Sequence, residues 1–555
     1  MQGSEKILIR GGIVIDGTGA AARRANLLIE GDTIVSLTDC DPPGGPAHPA
    51  RSIDARGCYV LPGIIDSHSH SDLTLLEEQG LQPKIMQGVT TEVCGQCGLS
   101  VFPLPLARQE GWRARSVIGG ASYVWGWESA SAWFDALRTR GLEANAVPFV
   151  GAGSARYAIA GDADVPVACS PDSPFVRLFE ESFAAGAAGL SFGLIYIPAI
   201  FSRREELLAA ARCAARYDRP LAVHMRSESS ALAEAVRETY SLAEEAGVRL
   251  TIAHLKAIGR ANRAQLDEVL EFIDTRGIAF DSSPYNFGST TLFSIIPPWL
   301  SGGGAEAVLD TLGARETRQY LAALWSQAGC GSPARAGTGL GSAGEAPFAN
   351  APWDNLPLEL GWEHIRVVSV RAGQDEDCCG KSIAEIAEER GTSPADAAID
   401  ILLASRGDVR MIDDYMDEDA VIAILRSRHG AIASDALFGA RNQAQAHPRL
   451  YACFPYALRR YALEQKILPL EEAVYKMTGL PARRLGLRDR GCLLPGYKAD
   501  IALFDQDFGG ASEPKFPETA NTSAFGLRTL FINGKMKVRE SCYDSAMRPG
   551  ALLLR

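Results

Sequence analysis

The chain has 555 residues, with 55 Lys and Arg against 67 Asp and Glu, a formal charge of −12, 46% hydrophobic and 22% charged residues. That composition supplies a large core and excludes wholesale disorder; at about 150 residues per domain it corresponds to three to four units, unless one α/β barrel absorbs 250 or more. The acidic balance argues against broad binding to nucleic acid or anionic lipid, since both require clustered Lys and Arg.

No basic and apolar leader precedes Ile7, and twelve cysteines in a chain of this length do not make a disulfide framework, so a reducing cytoplasm is the expectation. From Ile7 to Asp16 and from Asn26 to Val35 the sequence reads as short strands joined by Gly and Asp turns. The style returns from Asp500 to Asp505 and from Thr529 to Lys535. Both ends are therefore expected to build one small β-sandwich domain, residues 1–60 plus 490–555, around a catalytic barrel at 61–489.

Between the ends, short apolar runs alternate with helical patterns. The runs are Leu61 to Asp66, Thr90 to Cys94, Ala146 to Gly151, Gly189 to Leu194, Pro220 to His224, Leu250 to His254, Ile278 to Ser282 and Ala431 to Asp435. Helices such as Glu205 to Tyr217 and Leu232 to Ala246 separate them. Eight strands interleaved with helices point to a (β/α)8 TIM barrel over an open sheet. Phe183 to Ser202 lacks charge and has the length of a bilayer span, but Gly186, Gly189, Gly193 and Pro198 interrupt it; a helix end feeding a buried strand fits better. The gap from Ser283 to Ala431 is too long for one βα unit, and an inserted lid is expected at 295–375. It contains the Gly-, Ala-, Pro- and Ser-rich stretch Gly329 to Pro352, followed by helical patterns at Lys381 to Arg390 and Pro394 to Ser405.

Polar residues gather at the C-terminal ends of these strands, where barrels place their chemistry. His68 and His70 lie two apart, so on an extended segment both imidazoles face the same way. Cys97, His224, His254 and Asp435 each follow or end a further run, and His224 and His254 are 30 residues apart, about one βα repeat. Singly, Cys97 reads equally well as a small buried hydrophobe, either histidine as a hydrogen-bonded core residue, and Asp435 as a helix N-cap. Jointly, a thiolate and imidazoles at successive strand ends suit a tetrahedral Zn2+ with one position open to water.

These features resemble the amidohydrolase superfamily, and within it the N-acyl-D-amino-acid deacylases. The matching stretches include Leu61-Pro-Gly-Ile-Ile-Asp-Ser-His-Ser-His70, Gly95-Gln-Cys-Gly98, His224-Met-Arg-Ser-Glu228, His254-Leu-Lys256, Pro284-Tyr285 with Gly288-Ser-Thr290, Ser434-Asp435, and His447-Pro-Arg449. The resemblance implies one zinc held tightly by Cys97, His224 and His254, a weaker second position near His68, His70 and Asp435, and Asp435 as general base. It implies Lys256, Arg226, Tyr285, Tyr196 and Ser289 as residues meeting a small N-acyl amino acid. Related enzymes bridge two metals with a carbamylated lysine on the fourth strand, whereas Gly189 to Leu194 has no Lys. Gln96, Ala436, Ala152 and Phe192 also depart from the family pattern, the last two bearing on the substrate pocket. Two alternatives stay open: a cyclic-amide hydrolase or deaminase of the same superfamily, and a non-catalytic metal-binding scaffold.

Overall fold

A computed structural model describes residues 5–39, 51–113, 125–300, 305–326, 353–438, 447–510 and 526–555. Eight parallel strands form its central sheet: Ile64–Asp66, Val89–Cys94, Asn145–Gly151, Gly189–Gly193, Leu221–His224, Leu250–Ile252, Ala279–Ser282 and Gly430–Ile432. They pair in chain order from the first to the eighth. The seam between first and eighth is drawn together just beyond their ends, where Asp435 N donates to His68 O at 2.9 Å and Ala436–Leu437 runs parallel to Ser69–His70. The barrel strands are short and largely buried on both faces, which is why they read as mainly apolar runs rather than as alternations.

The expected helices are present, Arg204–Arg216 shifted by one residue at each end and Leu232–Ala246 with the expected bounds. The uncharged Phe183 to Ser202 stretch resolves into the end of helix Pro174–Ala185, a left-handed cap at Gly186 and the fourth barrel strand. No helix among the described residues is long and apolar enough to cross a membrane.

Strands from both ends share one nine-stranded sheet. Cys58–Pro62 pairs antiparallel with Ile501–Asp505 and joins the N-terminal strands to the C-terminal ones. Alternation along Ile501–Asp505 sends Ile501 and Leu503 into a separate apolar cluster with Ile7, Ile9 and Ile29, while Ala502 and Phe504 pack into the barrel's core. The last residues leave this sheet and run along the barrel, with Ala146 N donating to Ala551 O.

The insertion between the seventh and eighth strands begins before residue 295 and ends after 375. Its three-stranded antiparallel sheet pairs Phe287–Thr291 with Arg410–Asp414, and that strand with Ile365–Ser369. Phe287–Thr291 is Ser-, Thr- and Gly-rich and only half-buried, so no apolar run marks it in the sequence. Helices Ile383–Arg390 and Pro394–Ala404 fall where the periodicity places them. The Gly329 to Pro352 stretch lies outside the described residues.

Candidate metal centre

Six of the residues singled out in the sequence converge at the C-terminal end of the barrel. Cys97 Sγ lies 3.3 Å from His68 Nε2 and 3.2 Å from His254 Nε2. Asp435 Oδ1 lies 3.4 Å from His70 Nε2 and 3.6 Å from His68 Nε2. The His224 ring meets His254 edge to face, with centroids 4.2 Å apart. Three overlapping sets have their donor atoms within 4.8 Å of one another: His68, His70 and Cys97; Cys97, His224 and His254; His68, His254 and Asp435.

The backbone is bent to achieve this. Cys97, His254 and Asp435 all adopt left-handed conformations, with φ of 54°, 34° and 51°. Such conformations cost free energy for a residue with a Cβ, and they turn these side chains back towards the barrel axis as the strands end. Around Cys97 the turn needs its glycines: a Cβ on Gly98, at φ 71°, would lie 2.7 Å from Gly193 N, and one on Gly95 would lie 2.1 Å from Phe149 O.

Charged groups outside the cluster fix its orientation. Glu228 accepts from Lys256 Nζ at 2.7 and 2.8 Å and lies 3.0 Å from His254 Nδ1. Asp281 Oδ1 lies 3.1 Å from His68 Nδ1 and accepts from His254 N at 2.8 Å. Carboxylates placed behind imidazoles in this way set the tautomer and aim the other nitrogen inward. Burial opposes ionisation of Cys97, but His254, His68 and His224 outweigh it and hold the thiol well below its usual range. Burial likewise opposes ionisation of Asp435, and Arg449, followed by His254, His70 and His68, keeps its carboxyl well below the ordinary carboxylate value.

The donor set fits a zinc ion. His70 Nδ1 and His224 Nδ1 are buried and make no hydrogen bond, and electron-pair donors of six side chains fall into three overlapping sets, each within 4.8 Å. A thiolate, imidazoles and a carboxylate at this spacing are stabilised together by a shared cation.

A cavity of about 170 Å³ opens beside the cluster, lined by His70, His224, His254 and Asp435 together with residues of the insertion. Lys256, Tyr196 and Ser289 line it as well, with Tyr196 Oη 3.5 Å from Thr290 Oγ1. Arg226 lines the cavity with its guanidinium held by protein groups. Its Nε donates to Glu238 at 3.0 Å and its terminal nitrogens donate to the carbonyls of Ile200 and Ser202 at 3.1 and 3.0 Å. Tyr285 is packed in an aromatic cluster with His447 and Tyr456, outside the cavity wall. Ala152 and Phe192, the departures expected to shape the pocket, are buried and do not line it either.

Four participants were not singled out in the sequence as site residues. Arg449 NH1 lies 2.9 Å from Asp435 Oδ2, and Arg449 N is fixed by His447 Nδ1 at 3.0 Å. Burial and Arg449 push His447 well below the usual histidine value, so the ring is neutral and its Nε2 donates to Phe287 O at 2.9 Å. Glu228 and Asp281 complete the set. The motifs holding Glu228 and Arg449 are visible in the sequence, but their roles depend on contacts across strands.

Asp66 grips the seam below the cluster. Its Oδ1 accepts from Ser434 N at 3.0 Å, its other oxygen pairs with Lys84, and Lys84 Nζ also donates to Ser434 Oγ at 2.6 Å. Asp66, Lys84 and Ser434 are fully buried, so this ion pair fixes the segment leading into Asp435.

Comparison with known proteins agrees with this geometry. The Amidohydrolase family profile matches residues 51–148 and 349–535. A D-aminoacylase of Alcaligenes xylosoxydans xylosoxydans is 30% identical over 99% of this chain and 97% of its own length. An N-acyl-D-glutamate deacylase of the same organism is 29% identical over 100% and 98%. Among solved structures, an N-acyl-D-glutamate deacylase from Bordetella bronchiseptica, complexed with zinc and a phosphonate that mimics the tetrahedral intermediate, superposes with a TM-score of 0.76 at 28% identity, covering 99% of both chains.

Proposed function

Since this chain belongs to the amidohydrolase family, we propose that it is a zinc-dependent hydrolase that cleaves the amide bond of N-acyl-D-amino acids to a carboxylate and a free amino acid. The observation that carries this reading is the convergence of Cys97, His68, His70, His224, His254 and Asp435 beside a cavity that also holds Lys256 and Arg449. It is supported by the deacylase activities named for relatives that match nearly end to end.

Cys97, His224 and His254 would hold the principal zinc, with His68, His70 and Asp435 as the weaker second position. When bound, zinc acidifies a water and draws electron density from the carbonyl oxygen of the substrate. Asp435, kept ionised by Arg449, takes the proton of the attacking water and passes it to the departing nitrogen. Tyr196 faces the cavity with a hydroxyl that burial holds protonated, so it is a donor for the carbonyl oxygen as negative charge develops there. Lys256 and Arg449 supply the positive charge for the substrate's α-carboxylate. The fourth barrel strand carries no Lys, which argues against a carbamate-bridged site of the cyclic-amide type.

The test is amine release from matched N-acetyl-D- and N-acetyl-L-amino acids by zinc-reconstituted protein, with and without chelator. Chelator-sensitive release from the D series alone is the expected result. Release from the L series only, or ammonia release from ring amines with no amide cleavage, would replace the reading.

A further inference from the structure

The relatives named above include enzymes for acidic substrates, so membership of the family does not choose the side chain. The wall of the cavity does. Among the described residues it carries four cations, each beside a protein group that accepts from it. Arg226 is tied to Glu238 and two backbone carbonyls, and Lys256 is held by both oxygens of Glu228. Arg449 pairs with Asp435 beside the metal-type cluster. Arg406 stands at the exposed rim, paired with Glu306.

The α-carboxylate common to all N-acyl amino acids meets the charge of Lys256 and Arg449. Among the described residues, no further inner cation is left for a second carboxylate, and Asp354 and Asp413 line the same cavity. Burial already pushes Asp413 up to about 6, so this region disfavours the negative charge it has. Hydroxyls of Ser289, Thr290, Thr291 and Ser294 interrupt the remaining wall, whose larger share is hydrocarbon. Leu99 and Trp112 come from the segment after the second barrel strand, Ile195 from the end of the fourth, and Phe293, Ile296 and Trp353 from the insertion. Burying an aliphatic or aromatic arm there removes apolar surface from water on both sides, whereas burying a carboxylate there strips its hydration without replacing it.

We propose, resting on the deacylase reading, that this enzyme acts on N-acyl-D-amino acids with apolar side chains and discriminates against acidic ones, with the apolar wall that includes Phe293 as the determinant. The experiment is kcat/KM on the zinc-reconstituted full chain for N-acetyl-D-leucine, N-acetyl-D-phenylalanine, N-acetyl-D-glutamate and N-acetyl-D-aspartate, repeated on Phe293→Lys, with circular dichroism to establish that the variant is folded. The expected preference for the apolar pair is at least about 100-fold, narrowed at least tenfold by the new cation. Equal or faster turnover of the acidic pair overturns the inference and leaves the deacylase reading intact, as does a ratio that folded Phe293→Lys leaves unmoved. If no D-substrate is turned over by zinc-loaded protein, the deacylase reading fails and the inference with it.

Discussion

Asp435 combines a left-handed backbone, two imidazole neighbours and a buried guanidinium. Asp435→Asn keeps the shape and removes the basic oxygen, so kcat is expected to fall by about 10²–10⁴ while far-UV circular dichroism stays unchanged. Glu92 gives a different kind of prediction, because it is buried near Lys84, and neither of its carboxylate oxygens makes a hydrogen bond. Burial outweighs the attraction of Lys84 and raises its carboxyl to about 7. A carboxyl whose folded value lies above its unfolded value binds its proton more tightly in the native state. Stability is therefore lost as pH rises from about 4.5 to about 7, by roughly 3 kcal/mol in all. Glu92→Gln should flatten that slope, raising the melting temperature at pH 8 relative to wild type and leaving it nearly unchanged at pH 4; a parallel pair of melting curves across this range would refute the assignment. Residue types were legible from the sequence at this scale: the His68 and His70 pair, Cys97 and Asp435 announce a metal by their chemistry. What Arg226 and Tyr285 do was not legible, because only the fold shows that Glu238 and two carbonyls occupy the one and that aromatic rings enclose the other.

The turn Gly95-Gln-Cys-Gly98 is the element on which the site depends most. It passes between the ends of the third and fourth strands with no room for a side chain at either glycine. Gly98→Ala therefore strains the backbone next to Cys97, at a cost of about 1–3 kcal/mol. It should weaken zinc at least tenfold, measured by competition with a chromophoric chelator. Wild-type affinity in a folded variant would show that the turn does not set the thiolate's position. The barrel strands themselves were readable as apolar runs, since strands buried on both faces carry that pattern. The strands Phe287–Thr291 and Arg410–Asp414 were not, since polar, half-buried segments look like loops until their partner is known.

At the scale of the whole molecule, the candidate metal ligands come from five different barrel strands and their following segments, so a bound ion and the barrel would stabilise each other. Zinc bound to the native state alone at a hundred times its dissociation constant adds about 2.7 kcal/mol. Chelation should thus lower the melting temperature by about 2 °C and zinc should restore it, whether or not any substrate is present; a melting temperature indifferent to zinc would mean that the cluster does not bind it tightly. The sequence by itself determined the class of fold and the chemistry at the strand ends, because periodicity and residue type are local properties. Only the tertiary structure decided which charges are free to meet a substrate. Glu228, Asp281 and Arg449 act across strands, and hydrogen bonding over such separations is set by how the barrel closes, not by spacing along the chain.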